Sequence, residues 1–231
     1  MAPIDTLLQT VVFGDLPPAR VAALLPAVRT LALARGQLAF ALGDPADAMF
    51  VVARGQLKQY TVGRGGDELI FTLALPGDLF GQIGVFDPCG LRSASAEAMA
   101  PSEVLKIERE PLLEFFTHNP LAMRRMFEHL GALTRDVGQT LFGVAHEEIR
   151  ARVAQALLRL AVAHSEATGT GLRIPVRLSQ ATLGSIVGAT RENVNRALAS
   201  LLAAGDLSHQ DGFYVVHRRA ALEALCAGHA P

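Results

Sequence analysis

The stretch Ser179-Gln-Ala-Thr-Leu-Gly-Ser-Ile-Val-Gly-Ala-Thr-Arg-Glu-Asn-Val-Asn-Arg-Ala-Leu-Ala-Ser-Leu201 decides the fold. Ser179 is a helix-capping type, and the run to Val187 sets Leu183, Ile186 and Val187 as apolar positions of one short helix. Gly184 is small where a second helix must cross closely. Gly188 supplies the positive φ that a tight turn between helices needs. Thr190 then caps a second helix whose Val194, Ala197, Leu198 and Leu201 form a buried stripe. Two capped helices joined this tightly are the parts of a helix-turn-helix. Arg191, Glu192, Asn195 and Arg196 lie at the start of the second helix, opposite its stripe. An arginine offers a bidentate pair to guanine O6 and N7, and a carboxylate accepts from cytosine N4. With Ser179, Gln180 and Thr190, these residues are the candidate DNA contacts. The bland alternative is that Glu192 and Arg196 form an ordinary i,i+4 surface pair, worth a few tenths of a kcal/mol. Two strands around Gln210-Asp211-Gly212, the second being Phe213-Tyr-Val-Val216, would add a wing.

Outward from this motif, the 231-residue chain has room for two domains. Half of it is apolar and about a fifth charged, which is globular, and no apolar run reaches the roughly 18 residues of a membrane span. The start, Met1-Ala2-Pro3-Ile4-Asp5, has no secretory pattern, and Cys89 and Cys226 are the two cysteines. The expectation is a cytoplasmic, reduced protein with no membrane partner. Net charge is −1, but residues 171 to 219 carry Arg173, Arg177, Arg191, Arg196, Arg218 and Arg219 against Glu192, Asp206 and Asp211. That segment is +3 and the remainder −4, so the C-terminal part is the candidate for phosphate contact. No metal-ligand cluster, P-loop or nucleophile with a partner base stands out, so neither a catalytic nor a metal site is expected.

Between about residues 20 and 110 short apolar runs alternate with turn signals. The runs are Ala48 to Ala53, Gln56 to Val62, Glu68 to Ala74 and Ser102 to Ile107; the turns are Gly63 to Asp67, Pro76 to Asp78 and Asp87 to Gly90. Short strands at that spacing predict a barrel or sandwich. From Asn119-Pro120 the period becomes helical: Met123, Met126, Leu130, Leu133, Val137, Thr140 and Val144 recur by threes and fours. Met126, Leu130, Leu133, Val137 and Leu141 are the expected dimerisation residues; the alternative is a helix packed on its own domain. Gly131 and Gly138 weaken that helix by about 1 kcal/mol each. Phe142, Gly143 and Val144 read as a hinge before a second helix, Glu147 to His164, and Ser165 to Gly171 as a polar connection. The expected domains are 1–118, a sensor; 119–144, a dimerisation helix and hinge; and 145–231, a DNA-binding domain.

The chain resembles the Crp-Fnr family over nearly its whole length. Gly43-Asp-Pro-Ala-Asp47, Gly55, Pro76-Gly-Asp78, Phe80-Gly-Gln82 and Arg92-Ser-Ala94 follow the order and spacing of a cyclic-nucleotide-binding domain. Val187 to Arg196 is similar to the turn and recognition helix of the cyclic AMP receptor branch. The resemblance implies an α+β bacterial transcription regulator: an N-terminal cyclic-nucleotide-binding-type β-barrel (jelly roll), a long dimerisation helix and a C-terminal winged helix-turn-helix. Its partners would be double-stranded DNA, with palindromic GTGA-type half-sites read by residues 191, 192 and 196, and a second copy of the chain; RNA polymerase stays open as a further partner.

For an effector, the resemblance implies a pocket of Gly81, Gln82, Arg92, Ser93 and Ala94, with Thr134, Val137 and Gly138 from the long helix, taking cyclic AMP or another cyclic nucleotide. Three positions depart from that branch. Gln82 stands where it has a glutamate for the ribose, and Val137 and Gly138 where it has a threonine and a serine for adenine. Losing the charged acceptor weakens a nucleotide site by about tenfold. The effector therefore stays open between cyclic AMP, another ligand and none. Two separated cysteines cannot hold an iron-sulfur cluster of the Fnr kind. A haem on His118 or His129 and a redox role for Cys89 are weaker alternatives. The rival of another class is a cyclic-nucleotide-binding signalling module acting through protein contacts, which has no need of the features between Ser179 and Arg219.

Overall fold

The structure, a computed structural model, describes residues 1–227. The chain divides into two compact units, residues 1–62 with 70–135, and residues 63–69 with those from 136 onward. The first unit carries helices α1 (Pro3–Leu8) and α2 (Pro18–Ala22), then strands β1 (Val28–Leu33), β2 (Leu38–Phe40), β3 (Ala48–Arg54), β4 (Leu57–Val62), β5 (Glu68–Ala74, from Ile70 onward) and β6 (Leu79–Phe80). Helix α3 (Gln82–Phe86), strands β7 (Ser95–Ala98) and β8 (Ser102–Glu108), helix α4 (Arg109–His118) and the start of α5 (Pro120–His146) follow. The strands form two four-stranded sheets, ordered β1-β8-β3-β6 and β2-β7-β4-β5, with antiparallel pairing. This is the double-sheet architecture expected of a jelly roll.

β3 reads as an unbroken apolar run because both of its faces are covered. Ala48, Phe50 and Val52 join a core with Leu57, Ala74, Phe80 and Ala96 from both sheets. Met49 and Val51 instead join Leu7, Phe13, Leu112, Phe116 and Met126, a second core roofed by the helices.

That second core corrects two expectations. The helical region begins with α4, one element before Asn119-Pro120. Asn119 separates α4 from α5, at φ −132° and ψ 79° with its side-chain Nδ2 donating to Phe115 O at 2.8 Å, because a residue before proline is driven out of the helical region. Met126, expected on a seam between two copies, is only 1% exposed and lies in this core with Ala122, while Met123 and Leu130 pack against it. The N-terminal part of the apolar period thus belongs to a helix laid on its own sheet, where each large apolar side chain contributes about 1.5 to 3 kcal/mol. Residues 119 to 135 accordingly fall in the first unit, not in a separate segment from 119 to 144.

A third correction concerns the hinge. Phe142, Gly143 and Val144 are helical, and the Glu147 N–H donates to Gly143 O at 2.9 Å. The break falls at Glu147-Glu148, between α5 and α6 (Ile149–His164). One interior glycine costs a helix about 1 kcal/mol, too little to end it when the flanking hydrogen bonds are intact.

In the second unit α6 buries Val153, Ala154, Ala156, Leu157, Leu158 and Ala161. Ser165 to Gly171, read as a connection, instead contributes to the hairpin of β9 (Glu166–Thr168) and β10 (Gly171–Arg173). Helices α7 (Gln180–Val187) and α8 (Arg191–Ala203) form the expected helix-turn-helix. Strands β11 (Leu207–Gln210) and β12 (Phe213–Val216) then complete a sheet ordered β11-β12-β10-β9, and α9 (Arg219–Ala227) ends the described chain. Asp211 and Gly212 take φ 53° and 86°, the two positive values that a two-residue hairpin turn of the right twist requires.

Candidate functional site

The helix-turn-helix is fixed by its two caps and its turn. Ser179 Oγ accepts the Thr182 N–H at 3.0 Å, and Thr190 Oγ1 accepts the Asn193 N–H at 3.3 Å. Gly188 sits at φ 62°. Gly184 has no room for a side chain, since a Cβ there would stand 2.6 Å from Ala189 O in the turn. With Val194, Ala197, Leu198 and Leu201 buried, α8 turns Arg191, Glu192, Asn195 and Arg196 to solvent. Gln180 Nε2 donates to Asn195 Oδ1 at 2.9 Å, which joins the start of α7 to this face. Arg196 donates to Asn193 Oδ1, and among the described residues it makes no ion pair with Glu192. The structure thus brings all seven predicted DNA contacts onto two adjacent helix starts and the exposed face of α8.

Two arginines on one face of α6 were missed by the sequence reading. Arg152 donates to Val187 O at 2.9 Å, holding the last turn of α7. Arg159 donates to Thr140 Oγ1 at 2.8 Å, holding α6 against the end of α5. Their seven-residue separation was the available signal.

The residues expected to form a sensor pocket differ more from expectation. Gly81, at φ 75°, starts α3, and a Cβ there would stand 2.9 Å from Arg92 Nη1. Arg92 is 3% exposed. It donates to Gly81 O and Ala48 O, both at 2.8 Å, stands 3.5 Å from Asp47 Oδ1 and stacks 4.2 Å above the Phe40 ring. Burial lowers its pKa, opposed by the Asp47 and Asp44 carboxylates. An arginine expected to be a free anion donor therefore already has its two terminal nitrogens on main-chain carbonyls, because its side chain points into the barrel wall. Ser93 is exposed and Ala94 half-buried.

Gln82 is also buried, with Nε2 3.2 Å from His129 Nε2 on α5 and Oε1 without a hydrogen-bond partner. His129, weighed in the sequence only as a haem ligand, is thus the neighbour of Gln82. Burial lowers its pKa against the opposing pull of Asp78. Thr134 turns its hydroxyl to Leu130 O of its own helix, at 3.0 Å, while Val137 and Gly138 are exposed. On α5 the exposed large apolar residues are Leu121, Phe127 at 65%, Leu141 at 65%, Val137, Phe142 and Val144, with Leu133 half-buried. Among the described residues no helix is long and apolar enough to cross a membrane, and no cluster of His, Cys, Asp and Glu could hold a metal.

Residues 30–119 match the cyclic nucleotide-binding domain family and residues 151–225 the Crp-like helix-turn-helix domain family. The chain is 32% identical to the cyclic AMP receptor protein of Thermus thermophilus over 216 residues, 94% of this chain and 96% of that one. It is 29% identical over 201 residues to the CRP-like cAMP-activated global transcriptional regulator of Mycobacterium tuberculosis, 87% of this chain and 89% of that one. Its fold is similar to that of FixK2 from Bradyrhizobium japonicum, with a TM-score of 0.77 at 22% identity over 88% of this chain and 99% of that one.

Proposed function

Because the chain belongs to the Crp-Fnr family of DNA-binding transcription regulators, we propose that it works as a homodimer that reads palindromic GTGA-type half-sites through Arg191, Glu192 and Arg196. The observation that carries this reading is the exposed face of α8, where two guanidinium groups and a carboxylate stand at the helix start with no ion pair between Glu192 and Arg196. Arg191 and Arg196 suit guanine and Glu192 suits cytosine. Phe127, Val137 and Leu141 on α5 support pairing of two copies; Met126 does not take part. Twofold symmetry then sets the two recognition helices about one DNA turn, roughly 34 Å, apart. Selection from random duplex DNA tests the proposal. An inverted repeat with a GTGA-type arm is expected, and binding without sequence preference would overturn it.

The barrel is the place for a small effector, and a cyclic nucleotide is the class that its family points to. The orphaned Gln82 Oε1 fits a ligand group that donates a hydrogen bond, and the exposed Ser93 fits one that accepts. The Arg92 guanidinium fits less well, since Nη1 and Nη2 are held by Gly81 O and Ala48 O with Asp47 beside them, and only Nε is left without a partner for an anion. A weakened response to cyclic AMP is therefore proposed, together with a second reading, favoured by that same contact set, in which the pocket takes a different ligand. The first reading requires Arg92, Ser93 and Gln82 to hold phosphate and ribose, and the joint at Glu147-Glu148 to transmit the change.

A further inference from the structure

The wing carries an arrangement that the base-reading face does not use. The Phe213 ring, at the first position of β12, has an arginine over it from each of two neighbouring segments. The Arg173 guanidinium carbon stands 3.8 Å from the ring centroid, and that of Arg177 stands 5.2 Å away. The two charges differ in what else they meet. Arg173 is paired with Glu166, Nη1 to Oε2 at 2.9 Å. Arg177 is exposed and, among the described residues, has no carboxylate partner. Its aliphatic stem lies along the wing turn: a methyl group on Gly212 would stand 3.4 Å from Cγ and Cδ of Arg177. An exposed arginine ordinarily samples many rotamers. Here the turn holds the stem and the ring face attracts the head, so the charge is kept in one place.

That place adjoins the DNA-binding face. Arg177 precedes Ser179, the cap of α7, by two residues, and Gln180 links the start of α7 to Asn195 on α8. Asp211, the acid at the wing tip, opposes phosphate approach there. A fixed guanidinium beside it offsets that charge.

We propose that Arg177 is a DNA-phosphate contact outside the recognition helix, and that Phe213 is its positioning residue. The proposal rests on the DNA-binding reading above and adds a contact that carries no sequence information. Phosphate contacts fix the register of a protein on the duplex, whereas base contacts specify its sequence.

The test is a fluorescence-anisotropy titration of the full-length dimer, with salt varied over about 50 to 200 mM, on a GTGA-type palindrome and on a scrambled duplex. Each phosphate neutralised contributes about 0.9 to the slope of log affinity against log salt, so two copies of Arg177 contribute about 1.8. Arg177→Gln should flatten the slope by about that amount on both duplexes and leave the preference between them unchanged. Phe213→Leu, which keeps an apolar side chain but no ring, should lower affinity several-fold on both duplexes and flatten the slope in part. Phe213→Tyr should restore both. A wild-type slope in Arg177→Gln, or a Phe213→Leu that loses affinity at an unchanged slope, overturns the proposal. Should wild type fail to prefer the palindrome, the base-reading proposal falls while the slope on scrambled DNA still decides for Arg177; no binding to either duplex overturns both.

Discussion

Gln82 and His129 meet at 3.2 Å, Nε2 to Nε2, and so tie the start of α3 to the long helix α5. One nitrogen must donate and the other accept. The amide can donate only while the imidazole nitrogen is unprotonated, which matches the lowered pKa that burial imposes on His129. A proton on that nitrogen would face an amide donor, and the amide would have to turn its unpartnered Oε1 to the ring to keep the contact.

A pH dependence with a defined sign is expected. With a folded-state pKa below the unfolded value of about 6.5, the contribution of His129 to stability is fully present above that value. It is lost as the pH falls through about 6.5 and on to the folded value. Thermal unfolding at about pH 7.5 and about pH 5.5 should show a smaller acid loss in His129→Gln than in wild type. Gln82→Glu should raise the His129 pKa in an NMR titration, because a carboxylate facing the ring favours its cation. An unmoved titration would mean that the two side chains do not meet.

For the dimer, the exposed and the buried residues of α5 must behave differently. Leu141→Asp places a charge on the exposed apolar stripe and should yield a monomer by sedimentation, with its melting otherwise kept. Met126→Ala should instead cost about 2 to 5 kcal/mol in the first unit while the dimer mass persists. A dimer that survives Leu141→Asp places the interface elsewhere.

On DNA, Arg191→Ala or Arg196→Ala should cost about 1 to 3 kcal/mol on the selected palindrome and relax preference at one base step. Equal losses on every sequence would reduce these arginines to phosphate contacts.

Cyclic AMP should change operator affinity less than about tenfold, or about 1.4 kcal/mol, since a ligand shifts an equilibrium only by its differential affinity for the two states. The triple change Gln82→Glu, Val137→Thr and Gly138→Ser should enlarge the effect. A large response in wild type would show that Arg92 gives up its carbonyl partners to the nucleotide.

Gly143→Ala should leave operator affinity intact and strengthen α5 by up to about 1 kcal/mol, because the position is helical and the nearest obstacle is the movable Glu147 carboxylate, 3.1 Å from the added carbon. A loss of DNA binding in that variant would return the pivot to Gly143.

The helix-turn-helix was legible because its determinants are local. Ser179, Gly188 and Thr190 act within a few residues of themselves, and the Asp211-Gly212 turn announces its hairpin. The strands β3, β5 and β8 were legible as apolar runs, and the exposed face of α8 followed from the stripe opposite it. What escaped depends on partners distant in sequence. The heptad through Met126 is the same whether a second copy or the chain's own sheet covers it, and only the fold decides between them. Phe127 sits one position off that register and went unread. The short strands β9 and β10 carry no apolar alternation, and their pairing depends on β12. Arg92 was identified by its motif, but the direction of its side chain is set by Gly81 and Phe40, which no spacing rule includes.

The bond from Arg159 to Thr140 decides where the DNA-binding half can be cut free. A fragment starting at residue 145 would strand a half-buried guanidinium whose acceptors, Thr140 Oγ1 and Asp136 O, had been left behind. That fragment would lose the contact that holds α6 against the end of α5. Beginning at Asp136 keeps both acceptors and the last turns of α5 that carry them. The transplantable module therefore starts inside a helix, and a chimera joined at the Glu147-Glu148 break would sever it from its own clasp.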